Sequence, residues 1–138
     1  MSGYLVDTNV VSELRKRERA NAGVRRWFDS CEPDELFLSV LVVGELRRGV
    51  ELIRRKDGAA ARALDRWLRR LARDYRDRIL AVTLPICERW GRMGLEHPVP
   101  PIDGLLAATA IEHGLTFVTR NVLHVAASGV ASINPFDS

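Results

Sequence analysis

Gly3-Tyr4-Leu5-Val6-Asp7-Thr8-Asn9-Val10-Val11-Ser12-Glu13-Leu14 decides how the rest of the chain is read. An apolar run, bounded by Gly3, stops at a carboxylate, and polar residues lead into a stretch able to run as a helix. A short continuous apolar run suits a strand buried on both faces, as strands of parallel sheets are. Such a strand delivers Asp7 to its carboxyl end, and in open parallel sheets ligands bind in the crevice outside those ends. Taken alone, Asp7 is better explained as a helix N-cap, a position that Asp favours. Two later carboxylates change that balance.

Working outward, the spacing predicts a helix from Asp7 to about Arg19, whose Arg15-Lys16-Arg17 would suit the negative end of the helix dipole. A second short helix carries Val24, Trp27 and Phe28. Glu32-Pro33-Asp34-Glu35 reads as a turn and Leu36-Phe37-Leu38 as the second strand. Ser39 is placed to cap a helix reaching about Lys56, with Glu45 among Leu41, Val42 and Leu46. A carboxylate there is costly to bury without a partner. Arg48, one turn on, could be that partner; a metal ion is the functional alternative. Asp57-Gly58 turns the chain into a helix from Ala59 to about Tyr75, with Leu64, Trp67, Leu68, Leu71 and Tyr75 on one stripe and arginines over the rest. The two helices read as a hairpin projecting from the sheet, its apolar stripe mostly packed internally.

Ile79-Leu80-Ala81-Val82 is a third strand, and Pro85 to Leu95 a further helix. Glu96 to Pro101 reads as a rigid, non-helical loop. Asp103 then sits at or next to the N-terminus of an alanine-rich helix from Gly104 to His113, where it could again be a cap. Gly114 suits a left-handed helix end. Leu115-Thr116-Phe117-Val118 is the next strand, and it delivers Thr119 and Asn121 to the same edge as Asp7. Val130 to Phe136 can add a short edge strand. Nothing divides the chain, so residues 1–138 are expected to form one α/β domain around a mostly parallel sheet.

Composition narrows the function. At 138 residues and 46% apolar, the chain can bury a core without disulfides or a structural metal. No apolar run approaches the roughly 20 residues of a membrane span. The first strand begins too early to leave room for a signal peptide, so a cytoplasmic protein is expected. Cys31 and Cys87 lack CxxC or Cys/His zinc spacing, and His97, His113 and His124 are scattered. No nucleophile elbow, Walker loop or GxGxxG occurs, which removes support for hydrolytic triads and dinucleotide cofactors. The net charge of +3 is uneven: Arg47 to Arg78 holds 12 basic and 5 acidic residues, or +7, and the remainder 9 basic and 13 acidic, or −4. A basic arm beside an acidic remainder suits a polyanion, though a solvated helix face explains many such runs.

Asp7 ends a strand, Glu45 lies in a helix just after a strand, and Asp103 begins a helix before another strand. If the strands are parallel, all three can converge on one crevice. Three nearby anions raise one another's pKa values, and a divalent cation removes that conflict. Hard oxygen donors suit Mg²⁺, or Mn²⁺. Such an ion can activate water and neutralise a phosphoryl transition state, while the arginine-rich arm holds flanking phosphates.

The pattern resembles the PIN-domain nucleases, and within them the VapC-type ribonuclease toxins of toxin–antitoxin pairs. The matching residues are Leu5 to Glu13, Ser39-Val40-Leu41-Val42-Val43-Gly44-Glu45-Leu46, Pro101-Ile102-Asp103-Gly104 through Ala110, and Phe117-Val118-Thr119-Arg120-Asn121. The resemblance implies a three-layer α/β/α sandwich, Mg²⁺- or Mn²⁺-dependent endoribonuclease activity, a cognate VapB-type antitoxin and a homodimer within a toxin–antitoxin hetero-oligomer. It implies Asp7 and Asp103 as metal ligands, Glu45 completing the acidic site directly or through water, and Asn9 and Thr119 orienting carboxylates and water. The family often has a fourth acid after the last long strand. Here the segment Thr119-Arg120-Asn121-Val122-Leu123-His124 has none, and Asn121 or His124 takes that place. Arg47, Arg48 and Arg120 are the candidates for touching RNA.

Two other readings compete. In the first, the chain is a PIN-fold module that binds RNA and antitoxin without useful cleavage. In the second, it is a small-molecule phosphatase, which Asp7-Thr8-Asn9 supports poorly because it lacks a second nearby acid.

Overall fold

The computed structural model describes residues 2–137. Five strands, β1 (Tyr4–Val6), β2 (Leu36–Ser39), β3 (Ile79–Leu80), β4 (Thr116–Val118) and β5 (Ser132–Ile133), form one sheet in the order β3-β2-β1-β4-β5, and every neighbouring pair is parallel. The register sets Leu5 against Phe37 on one side and against Phe117 on the other. Leu5 and Phe117 are fully buried and Leu38 almost so, as expected of strands covered on both faces. β3 is shorter than its apolar run because only Ile79 and Leu80 find partners on β2.

Seven α-helices cover the sheet: α1 (Thr8–Leu14), α2 (Ala22–Asp29), α3 (Val40–Arg54), α4 (Gly58–Asp74), α5 (Leu84–Arg92), α6 (Pro101–His113) and α7 (Val122–Val125). Parallel connections are right-handed, so the crossovers running from β1 out to β3 lie on one face and the returning ones on the other. The packing agrees. α1 touches α2 and α3, and α3 touches α4; separately, α6 touches α5 and α7. The result is a three-layer α/β/α sandwich.

Three sequence expectations change. The helix after Asp7 ends at Leu14, and Arg17–Arg19 forms a separate 3-10 turn. Arg17 adopts a left-handed φ of 55°, which a continuous helix cannot accommodate. The proline-rich loop is shorter than expected, because α6 begins at Pro101. A proline at the first helical position lacks only an N–H that would have no helical partner. Asp103 is therefore inside the first turn and does not cap it. Finally, α7 interrupts the connection from β4 to β5; at four residues it is too short for periodicity to reveal.

The hairpin of α3 and α4 is part core and part arm. Val42, Leu46, Val50, Ala61 and Leu68 are buried, whereas residues 51–57 at its tip are all exposed. Its base is clamped by Arg78, whose guanidinium donates to the carbonyls of Pro33, Leu36 and Asp74 and lies 4.5 Å over the Tyr75 ring. No helix among the described residues is long and apolar enough to cross a membrane.

Candidate active site at the switch point of the sheet

The strand order reverses between β1 and β4, where neighbouring connections leave in opposite directions. Open α/β sheets bind ligands at such a point. The Asp7 amide donates to the Val118 carbonyl at 2.9 Å, carrying the pairing one residue past β1. Asp7 is buried, 4% exposed. Its Oδ1 accepts the Thr8 amide at 2.8 Å and its Oδ2 accepts the Thr119 hydroxyl at 2.7 Å. Thr119 is itself buried, and its Oγ1 accepts the Asn121 amide at 3.0 Å. Asp7 is thus both the helix cap and the floor of the crevice; the two sequence readings describe one side chain.

Glu45 stands at the rim. It is exposed, so it carries no burial cost for an ion pair to offset. Its Oε1 accepts the Thr8 hydroxyl at 2.5 Å, a contact that ties α3 to the start of α1. Arg48, the partner that helical spacing suggested, makes no ion pair with it among the described residues. Asp103 is half-buried, and its Oδ2 lies 3.3 Å from Nδ1 of His124 on α7.

The electrostatics tie the three acids together. Burial pushes the Asp7 carboxyl above the ordinary carboxylate range. The bonds from Thr119 and Thr8 pull it down, and the charges of Asp103 and Glu45 push it up again. No cation pairs with Asp7 among the described residues. A nearly buried anion, facing two more anions and served by neutral donors alone, is a group waiting for positive charge. The donor set is oxygen-rich and hard, which fits a divalent cation such as Mg²⁺. Among the described residues no three Asp, Glu, His or Cys side chains come close enough to hold an ion by themselves. An ion bound here would keep water in its shell, as Mg²⁺ commonly does.

The other candidates fall in different places. Asn9 accepts the Arg120 amide on its Oδ1, 3.3 Å away, which ties it to the loop after β4. The Asn121 backbone serves Thr119, and its side chain is half-buried beside α7. Arg120 is exposed and stacks 4.6 Å over the Phe136 ring; the Glu13 carboxyl is drawn down first by Lys16 and the Asn21 amide, with a smaller pull from Arg120. Arg47 pairs with Asp65 at 2.9 Å and with Glu51 at 3.3 Å. Arg48 is exposed and unpaired among the described residues. No local pattern joins Thr8 to Glu45: the two are 37 residues apart, and the packing of α3 on α1 brings them together.

A family profile described as the PIN domain matches residues 4–124. The chain is 33% identical to toxin FitB of Neisseria gonorrhoeae over 141 residues, covering 96% of this chain and 97% of that protein. It is 31% identical to the VapC ribonuclease Y4jK of Sinorhizobium fredii, again over 96% and 97% of the two chains. Among solved structures, FitAcB from Neisseria gonorrhoeae superposes with a TM-score of 0.88 at 33% identity, covering 98% of this chain and 99% of that one.

Proposed function

This chain belongs to the PIN-domain family, and from that premise we propose that it is an endoribonuclease acting as the toxin of a toxin–antitoxin pair. The observation that carries this reading is Asp7: a buried carboxylate at the switch point, subject to the charges of Asp103 and Glu45, with no cation paired to it among the described residues. A phosphodiester and its counter-cation complete such a site.

In this reading Asp7 and Asp103 hold Mg²⁺ or Mn²⁺, with Glu45 joining them directly or through water. The bound ion would supply charge neutralisation at the phosphoryl group and acidify water. Thr119 fixes the rotamer of Asp7 through Oδ2 and lowers the cost of keeping it ionised. Thr8 holds Glu45 at the rim. Hydrolysis adds water across the P–O bond. The incoming oxygen would bond phosphorus as the bond to the leaving oxygen breaks; Glu45 would take the proton that the water gives up, and the leaving oxygen would take one from solvent.

Substrate backbone needs cations that are not already engaged. Arg62, Arg66 and Arg70 recur at helical spacing along α4, all exposed and without ion pairs among the described residues. We assign them to RNA phosphates in place of Arg47. The partner is a VapB-type antitoxin. A groove of about 170 Å³ runs from Thr8 and Glu45 past Ser12 and Ile53 to Trp67, so one segment could cover the acids and an apolar strip together. The exposed apolar residues Leu84, Trp90, Leu95 and Ile102 suit a second copy of the chain in a homodimer.

The experiment is end-mapped cleavage of cellular RNA by antitoxin-free protein in Mg²⁺, Mn²⁺ or EDTA, beside Asp7→Asn and Asp103→Asn. Discrete metal-dependent ends that vanish in both variants are expected. Binding without new ends, in folded protein and in every metal, would instead establish the non-cleaving module, for which the imidazole of His124 beside Asp103 is the specific argument.

A further inference from the structure

We propose that the groove between α1 and the α3–α4 hairpin holds one nucleobase of a single RNA strand against Trp67, with Arg15 on the adjoining phosphate. This rests on RNA as the substrate, as read above, and adds where the strand lies beside the acids.

Three helices build the groove. Thr8, Ser12 and Arg15 line it from α1 and its C-cap, Glu45 and Gly49 from α3, and Trp67 from α4. Spacings of three and four residues keep each set on one helix face. The groove begins at Thr8 and Glu45, which are hydrogen-bonded at the rim of the acidic crevice. A strand cut at that rim therefore has its neighbouring nucleotide in the groove. Its volume is about 170 Å³. An apolar cavity of about 150 Å³ takes a benzene-sized ring, so the groove suits one heterocycle and is too small for a duplex.

The chemistry of the lining favours a nucleotide. Splayed bases of single-stranded RNA stack on aromatic side chains and on guanidinium planes, and the groove has one of each in Trp67 and Arg15. Arg15 is exposed, and neither it nor the Ser12 hydroxyl has a polar partner among the described residues. A hydroxyl both donates and accepts, so Ser12 can meet the edge of any base. A nucleic acid brings a negative charge with every residue, which gives Arg15 its counterpart. The path also continues. Arg70 lies three residues beyond Trp67 on α4, exposed, on the same side of the helix. A strand leaving the base subsite thus runs on to another cation.

Gly49 offers a clean probe. A Cβ there would meet no side chain, and no backbone beyond its own helix, within 4 Å. Alanine and leucine are better helix formers than glycine, so a larger side chain can fill the groove from α3 and leave the fold intact.

The test is anisotropy of a fluorescein-labelled single-stranded RNA of about ten nucleotides, beside the same sugar–phosphate chain with its bases removed. Whole, antitoxin-free Asp103→Asn protein in Mg²⁺ is the reference, so that the strand stays uncut. Gly49→Ala, Gly49→Leu and Arg15→Gln are added to it, and circular dichroism and melting establish each fold. Removing the bases should weaken binding to the reference by about ten-fold or more, the scale of one base–aromatic stack. Gly49→Leu should bind whole RNA about as weakly, lose little more when the bases go, and keep its salt dependence. Gly49→Ala, which fills less of the groove, should fall between the two. Arg15→Gln should lower the slope of log affinity against log salt by roughly 0.7. Binding to the reference that ignores the bases, or whole RNA held equally well by the reference and folded Gly49→Leu, overturns the subsite and leaves the groove to a protein segment alone. An unchanged slope in Arg15→Gln overturns the phosphate contact. Base-dependent binding by a wild type that cuts nothing overturns the nuclease and keeps the subsite, whereas a folded reference that binds no RNA overturns the substrate and this inference together.

Discussion

Asp7 and Asp65 are the same residue in opposite surroundings. Asp65, between the helices of the hairpin, is met by three guanidinium groups: Arg47 at 2.9 Å, Arg69 at 3.1 Å and Arg54 at 3.5 Å. The Arg47 bond, then the Arg69 bond and both charges, draw its carboxyl down to about 2. Asp7, at the switch point, receives one hydroxyl and one amide, and burial holds its carboxyl above the usual range. The hairpin carries its own counter-charge. In the crevice no cation pairs with Asp7 among the described residues. A carboxylate with built-in partners maintains structure; a buried one without them marks where a ligand belongs.

The largest test of that contrast is Asp7→Asn. RNA cleavage should fall by about 10³-fold or more, as expected when an electrostatic centre of the site is removed. Stability of the metal-free protein should move the other way. A carboxyl raised in the folded state binds more protons folded than unfolded just above the ordinary carboxylate range, so its ionisation costs stability as pH rises through that window. The variant should therefore melt higher than wild type at neutral pH, and the gain should fade below the ordinary carboxylate pKa, where both states are protonated. A lower melting temperature at neutral pH would show that Asp7 is a structural cap first. Thr119→Val comes next. It removes the hydroxyl from Asp7 Oδ2 and should slow cleavage by about ten-fold, the worth of a hydrogen bond to a charged group, with Asp7 pushed further upward. Unaltered turnover would mean that Asp7 is positioned by its Thr8 contact alone.

The hairpin supplies the smaller effects. Replacing Arg62, Arg66 and Arg70 together with Ala should weaken binding of single-stranded RNA and reduce the slope of log affinity against log salt by about 2, at roughly 0.7 per lost phosphate contact. An unchanged slope would place RNA on another face. Asp65→Asn should leave cleavage within about two-fold, a change too small to implicate the reaction coordinate. Its depressed carboxyl contributes stability that is complete above the ordinary carboxylate range and lost as pH falls towards about 2. The difference from wild type should therefore be largest near neutrality, small at acid pH, and diminished by salt because the partners are exposed. A large loss of cleavage would end the division between a self-neutralised arm and an unneutralised crevice.

Much of this arrangement was legible in the residues. Asp7, Glu45 and Asp103 were readable because each follows or precedes a strand-like or helix-like run that fixes its place along the chain. Parallel pairing then brings the strand ends to one edge. Side-chain partners were not readable. Helical spacing offers Glu45 either Arg48 or a metal ion as partner; Thr8, from another helix, donates to it. Arg47 was read as free because its acidic partner Asp65 lies on the opposite arm of the hairpin, 18 residues on. The resemblance implies a carboxylate-orienting role for Asn9; the contact that the fold adds, to the Arg120 amide, is 111 residues away in sequence. The start of α6 was misplaced because consecutive prolines look like loop, although Pro101 is well suited to open a helix. In each case the local pattern specified the backbone, and a contact distant in sequence specified the side chain.

The bond between Thr119 and Asp7 joins residues 112 positions apart. Its consequence appears while the chain is being made. Domains fold as they emerge, at roughly 5–20 residues per second, and β1 cannot acquire β4 as a neighbour until residues 116–118 have left the ribosome. Until β4 and Thr119 have been made, the chain carries Asp7 without the hydroxyl that aligns it, so a fragment that stops short of residue 119 cannot assemble the crevice.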